Sequence, residues 1–88
     1  MAGMMDGKVA IVTGAFRGLG RAYAEALGRE GASVVCADIR YCDDTVASIV
    51  KAGGNAVAAT CNVTDMDACQ AMADLAMERY GRIDALVN

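Results

Sequence analysis

Apolar and polar positions along the chain follow two alternating periods. Residues 8–13, "KVAIVT", form a short β-branched run closed by Gly14, the pattern of a strand buried on both faces. The period then changes. Leu19, Ala22, Tyr23, Ala26 and Leu27 fall at i, i+3, i+4, i+7 and i+8, one apolar face of a helix. Gly31 follows Glu30 where a left-handed residue would stop that helix. The unit recurs. "ASVVCAD" (residues 32–38) predicts a second strand, and Val46, Ile49 and Val50 mark a second helix ending near Gly53. "NAVAATCNV" (residues 55–63) predicts a third strand. "TDMD" (residues 64–67) opens a third helix, with Thr64 as N-cap and acids in the first turn. Its apolar stripe is Cys69, Met72, Ala73, Ala76 and Tyr80, and Gly81 ends it. "IDALVN" (residues 83–88) starts a fourth strand.

The strands begin near Lys8, Ser33, Val57 and Ile83, about 25 residues apart, the spacing of strand–helix units in a parallel sheet. Right-handed crossovers place helices on both faces of such a sheet. The expected architecture is therefore α/β: a partial doubly wound parallel sheet (Rossmann fold) of four strands and three helices. A parallel strand needs cover on both faces, and the chain ends inside its last strand pattern. Residues 1–88 are accordingly expected to be the N-terminal part of one larger domain.

Composition narrows the function classes. Hydrophobic residues make up 56% of the chain and charged residues 22%, a balance that opposes disorder. Aromatics are only 5%, so the core must be aliphatic. The net charge of -3 and the lack of a basic run leave no electrostatic footprint for nucleic acid. No apolar run approaches the ~20 residues of a membrane span. The start "MAGMMDGK" has neither a hydrophobic signal region nor the glycine of a myristoylation site. The expected compartment is the cytoplasm, with no membrane partner. The four cysteines form no C-x-x-C pair and there is no histidine, so no metal site is expected. Cys36 and Cys61 lie in apolar runs and read as reduced, buried thiols.

The chemistry concentrates in "VTGAFRGLGRA" (residues 12–22). Gly14, Gly18 and Gly20 are spaced G-x-x-x-G-x-G, unlike either the G-x-G-x-x-G fingerprint or the P-loop. The stretch sits at the carboxyl end of strand one, where doubly wound sheets bind ligands. Gly14 permits a tight exit from the strand. Gly18 and Gly20 clear side chains where backbone approaches a ligand and where helix meets strand. First-turn N–H groups from about Gly18 onward can hold an anionic pyrophosphate. A glycine-rich turn without a ligand is the alternative. Asp38, 18 residues beyond Gly20 at the end of strand two, can accept from ribose hydroxyls, or can be a solvated strand-end acid. Asn62 and Val63 in "CNVTD" would lie at the same sheet edge, beside an adenine pocket, although Asn62 is also a turn former.

Together, "TGAFRGLG", "AD" at 37–38, "NVTD" at 62–65 and "GRIDALVN" at 81–88 resemble the first half of the short-chain dehydrogenase/reductase family. The resemblance runs the length of the chain. It implies that Gly14, Gly18 and Gly20, with backbone at Arg17 and Leu19, line a pyrophosphate. It implies that Asp38 holds the ribose diol, that Ile39, Asn62 and Val63 lie near adenine, and that Asn88 approaches the nicotinamide-side ribose. The family often has Asp where Asn62 stands; Asn keeps an acceptor and adds donors. NAD is favoured over NADP, because the Asp38 carboxylate would repel a 2′-phosphate. Arg17 and Arg40 pull the other way, since a guanidinium can bind that phosphate.

The implied activity is hydride transfer between the nicotinamide and an alcohol or ketone, in a homo-oligomer (tetramer or dimer) of the full-length protein. The family's Tyr-x-x-x-Lys pair is absent: Tyr23, Tyr41 and Tyr80 are followed at that offset by Leu27, Thr45 and Asp84. Ser33 and Ser48 fall in the wrong elements. No catalytic residue is assigned among these 88 positions. A non-catalytic NAD(P)-binding sensor is the alternative function. A flavodoxin-like response domain is a third, opposed by the glycine loop and by the lack of further strand-end acids.

Overall fold

The computed structural model describes residues 3–88. Its elements run β1 (Val9–Thr13), α1 (Gly18–Arg29), β2 (Ser33–Asp38), α2 (Asp43–Lys51), β3 (Asn55–Thr60), α3 (Met66–Tyr80) and β4 (Ala85–Val87). One sheet holds all four strands in the order β3-β2-β1-β4, and every pairing is parallel. The α/β doubly wound expectation therefore holds.

The order places the site. The chain builds outward from β1 to β2 to β3, and α3 then carries it back to the opposite side of β1. Strand order reverses between β1 and β4, and the crevice of a doubly wound sheet lies at the carboxyl ends beside that reversal. Val12 aligns with Cys36 of β2 and with Val87 of β4, so Thr13, Asp38 and Asn88 all emerge along one edge.

Alternation along β1 and β2 feeds two cores. Val12, Val34 and Cys36 join Ala24 of α1 and Ile49 of α2 on one face. Ile11, Val35 and Ala37 join Cys61 and the α3 residues Met72 and Ala76 on the other. Cys36 and Cys61 are buried free thiols, as their apolar surroundings require. The α3 stripe also falls as expected, with Met72 and Ala76 buried and Cys69, Ala73 and Tyr80 half-buried.

Helix α1 keeps Leu27 of its expected face against the core but turns Leu19, Ala22 and Tyr23 outward. Leu19 is 68% exposed and Tyr23 49% exposed, while Ala24 and Gly28 are the buried positions. The reason is steric. A Cβ at Gly28 would stand 2.8 Å from Ile49 Cγ2, so α1 and α2 can pack this closely only through the small-residue face. Val50 is likewise exposed, and Ile49 alone fills the core from its pair.

Smaller corrections concern ends. The N-cap of α3 is Asp65, not Thr64: the Asp65 carboxylate accepts from the N–H groups of Asp67 and Ala68 at 3.0 and 3.3 Å. The Thr64 hydroxyl instead donates to Asn62 Oδ1 at 2.7 Å. β3 stops at Thr60, before the expected Val63. The Cys61 N–H still donates to the Asp38 carbonyl at 2.8 Å, and beyond it Asn62 turns the chain. β4 is three residues long, led in by Asp84, whose N–H donates to the Val9 carbonyl at 2.8 Å.

Candidate functional site

The loop between β1 and α1 is shaped by its glycines. Gly14 and Gly18 have φ of 69° and 63°, the left-handed region that a side chain disfavours. A Cβ on either would meet open space, so their constraint is conformational. Gly20 differs. A Cβ there would overlap the Gly14 carbonyl oxygen, so helix and loop touch backbone to backbone. Ala15 between them is fully buried, and its N–H donates to the Ala37 carbonyl at 3.0 Å.

The three helix N-termini are not equivalent. Asp65 caps α3, and Asp43 and Asp44 occupy the first turn of α2. Among the described residues, α1 has neither a side-chain cap nor a first-turn acid; its N-cap is Arg17 in extended backbone. The N–H groups of Gly18, Leu19 and Gly20 begin the helix and point out of its end with the positive pole of the dipole. Chemically this end accepts an anion.

Asp38 closes β2 beside that end and is almost fully buried. Its Oδ2 accepts from the Phe16 N–H at 3.4 Å. Its Oδ1 accepts from the Arg40 N–H at 3.1 Å and from Arg40 Nε at 3.5 Å. Burial raises the carboxyl's pKa. The two backbone N–H donors, with the Arg40 guanidinium, outweigh that and hold it below its ordinary value. Asp38 is therefore a fixed carboxylate. The same guanidinium lies over the Phe16 ring, 4.2 Å from its centroid, a cation–π contact.

Gly14, Asp38, Ile39, Asn62 and Val63 line one cleft, floored by Cys61. Ile39 and Val63 are exposed apolar side chains at its rim, suited to a flat ring. Asn62 is partly committed, because its Oδ1 accepts from the Thr64 N–H at 3.0 Å and from the Thr64 hydroxyl. Its amide N–H₂ remains as donor. Asn88 stands across β1, where its Oδ1 accepts from the Thr13 hydroxyl at 2.8 Å. Arg17 and Leu19 are exposed on the loop and the first turn of α1.

Thus, of the ten residues singled out in the sequence, Gly14, Asp38, Ile39, Asn62 and Val63 share one cleft at the carboxyl ends of β1, β2 and β3, Arg17, Gly18, Leu19 and Gly20 lie on the loop and first turn of α1 beside it, and Asn88 borders the same edge from β4. Three others were missed. Thr45 of α2 is fully buried and donates to the Ala15 carbonyl at 2.7 Å, but a lone threonine in a helix carries no signal of this. Thr13 ties β1 to β4, and Phe16 seats Arg40. The one signal for Phe16 is that the chain's single phenylalanine sits in the glycine loop, next to Arg17. Among the described residues no group of three or more potential metal ligands gathers, and no helix is long and apolar enough to cross a membrane.

Residues 8–88 match the family model for short chain dehydrogenase. The chain belongs to the short-chain dehydrogenase family. An uncharacterized oxidoreductase of Mycobacterium tuberculosis is 53% identical over 87 residues, covering 97% of this chain and 35% of the relative. The 7alpha-hydroxysteroid dehydrogenase of Escherichia coli is 41% identical over 86 residues, covering 96% and 34%. A crystal structure of a short chain dehydrogenase from Mycobacterium avium superposes with a TM-score of 0.95 at 42% identity, covering 98% of this chain and 34% of that one. This short-chain dehydrogenase chain thus spans about a third of the length of these two curated relatives. Its glycine loop and Asp38 lie in the part they share.

Proposed function

We propose that this chain is the N-terminal, cofactor-binding part of a single larger domain, and that the full-length protein is an NAD-dependent oxidoreductase acting on a small alcohol or ketone. The observation that carries the reading is the state of Asp38: an ionised, immobilised carboxylate beside the open N-terminus of α1, with the nearest guanidinium already on it. A ribose diol offers such a carboxylate two donors. A 2′-phosphate meets repulsion there; with Arg40 engaged on Asp38, the exposed Arg17 is the loop cation left to offset it.

The residues present fit a dinucleotide. Gly14, Gly18 and Gly20, with the N–H groups at Arg17 and Leu19, hold the pyrophosphate; the space beside Gly18 is open to it. Ile39 and Val63 flank the adenine ring, and Asn62 offers its amide to the ring's edge. Asn88, oriented by Thr13, meets the nicotinamide-side ribose. Once bound, the nicotinamide supplies hydride transfer. Substrate residues and the acid–base pair belong to the part of the domain beyond these strands.

Calorimetric titration of the full-length protein with NAD and with NADP tests the choice of cofactor. Tighter binding of NAD is expected; tighter binding of NADP overturns it. Reduction of NAD in the presence of a panel of alcohols tests the activity, and NAD binding without turnover of any alcohol or ketone would favour a sensor of the same fold.

A further inference from the structure

We propose that Phe16 sets cofactor choice at one remove: its ring parks the Arg40 guanidinium on Asp38 and so withholds it from a 2′-phosphate. This rests on the NAD reading above and names a residue that enforces it.

Among the described residues, two polar or cation–π contacts hold the Arg40 side chain. One is the single Nε–Oδ1 approach to Asp38 at 3.5 Å, the outer limit of a hydrogen bond. The other is the Phe16 ring at 4.2 Å. The shorter bond between these residues comes from the Arg40 backbone N–H and persists wherever the side chain goes. Nearly half of the Arg40 side chain is exposed (46%), so solvent competes for it. The aromatic face is therefore what selects one rotamer from several. Arg40 lies two residues beyond Asp38, at the corner where the ribose would sit. Released, its terminal nitrogens can reach for a phosphate in the bidentate manner arginine favours.

The hydrogen bonds of Phe16 do not involve its ring. Phe16 donates to Asp38 and accepts from Thr45 through its backbone alone. Truncation to Ala keeps both backbone bonds and frees the guanidinium, but it also removes the ring's packing against the core beside Val12 and Ala15; Phe16→Leu keeps that packing and loses only the π face.

The experiment measures Kd for NAD and NADP by calorimetry on the full-length protein. The variants are Phe16→Ala, Phe16→Leu, Phe16→Tyr, Arg40→Ala and the Phe16→Ala/Arg40→Ala pair. Phe16→Ala should raise affinity for NADP relative to NAD by roughly fivefold, the size of an exposed cation–π contact. Phe16→Leu, which keeps bulk without a π face, should move the same way and carries the test if the alanine variant does not fold. Phe16→Tyr should stay within about twofold of the parent. In the Arg40→Ala background, Phe16→Ala should leave the ratio where it was. An unchanged ratio in both Phe16→Ala and Phe16→Leu overturns the proposal, as does the same shift with Arg40 absent. A parent protein that prefers NADP is a separate failure, that of the NAD reading, and is seen before any variant is made.

Discussion

Thr45 and Ala15 are 30 residues apart in sequence and joined by a 2.7 Å hydrogen bond, the Thr45 hydroxyl donating to the Ala15 carbonyl. Both residues are fully buried. This bond anchors the glycine loop to α2, the helix that follows Asp38, and so fixes the two halves of the candidate site relative to one another.

Thr45→Val keeps the shape and deletes the donor. The Ala15 carbonyl then loses a buried partner, which costs about 1–3 kcal/mol. Urea denaturation of the full-length protein should show that loss, and NAD affinity should fall with it. Thr45→Ser keeps the hydroxyl and should recover most of both. Equal stabilities of the valine variant and the parent would refute the anchoring role.

Gly18 and Gly20 should separate on substitution. Gly20→Ala drives a Cβ into the Gly14 carbonyl oxygen, and a clash of backbone against backbone should cost about 3 kcal/mol or more. Gly18→Ala meets open space at φ 63°, a cost of about 1–2 kcal/mol, but its methyl stands where the proposed pyrophosphate approaches the first turn of α1. Its NAD affinity should therefore fall by more than its stability does. Paired denaturation and calorimetry measure the two effects; a Gly18→Ala protein that binds NAD normally argues against a pyrophosphate at Gly18.

Asp38→Ala should narrow the gap between NAD and NADP affinities. Because hydrogen bonds and the Arg40 guanidinium hold the carboxyl below its ordinary value despite burial, Asp38 stays ionised throughout the neutral and mildly acidic range. Its contribution is present above the unfolded value and lost as pH falls through the depressed folded value. NAD preference should be flat with pH until below the ordinary carboxylate range. A preference that fades near neutral pH would place a different group in charge.

Asp84 links the sheet's newest strand to its first. The Arg82 guanidinium donates to Asp84 Oδ1 at 2.6 Å, and the Val9 N–H donates to Oδ2 at 2.8 Å. These bonds, Arg82 first, hold the carboxyl below its ordinary value. The sign is the same: stabilisation is complete above the unfolded pKa and disappears as pH falls through the folded one. Asp84→Asn should lower the urea midpoint at neutral pH, and the difference from the parent should close on acidification. A gap that persists in strong acid would mean the charge plays no part.

The thiols should react in order of burial. Burial pushes Cys36 up to about 12 and Cys42 up to about 11, so neither offers thiolate at mildly alkaline pH. Cys69 is the half-buried thiol. Mass spectrometry of the native protein during iodoacetamide treatment should find Cys69 labelled first; early labelling of Cys36 would show that the sheet opens readily.

Much of the site was legible because its signals are local. A positive-φ glycine, an anion-receptive helix start and a strand-end acid each depend on a few adjacent residues, so Gly14, Gly18 and Asp38 could be named from spacing alone. Leu19 and Tyr23 show the opposite case. Their 3.6-residue period identifies an apolar face of α1, but burial went to Ala24 and Gly28, because the neighbouring Ile49 leaves room only for small residues. Thr64 lost the cap to Asp65 for a similar reason: Asn62 had already engaged its hydroxyl.

The sequence by itself determined the alternation of strand and helix, the parallel sheet that this spacing requires, and the chemistry gathered at the carboxyl edge of β1 and β2. Tertiary structure decided the order β3-β2-β1-β4, the buried face of α1, and the partners of the Asp38 carboxylate. Periodicity and glycine chemistry act within one turn or one strand. The Phe16–Asp38 bond spans 22 residues and the Thr45–Ala15 bond 30, and contacts of that reach exist only after the sheet has set which elements are neighbours.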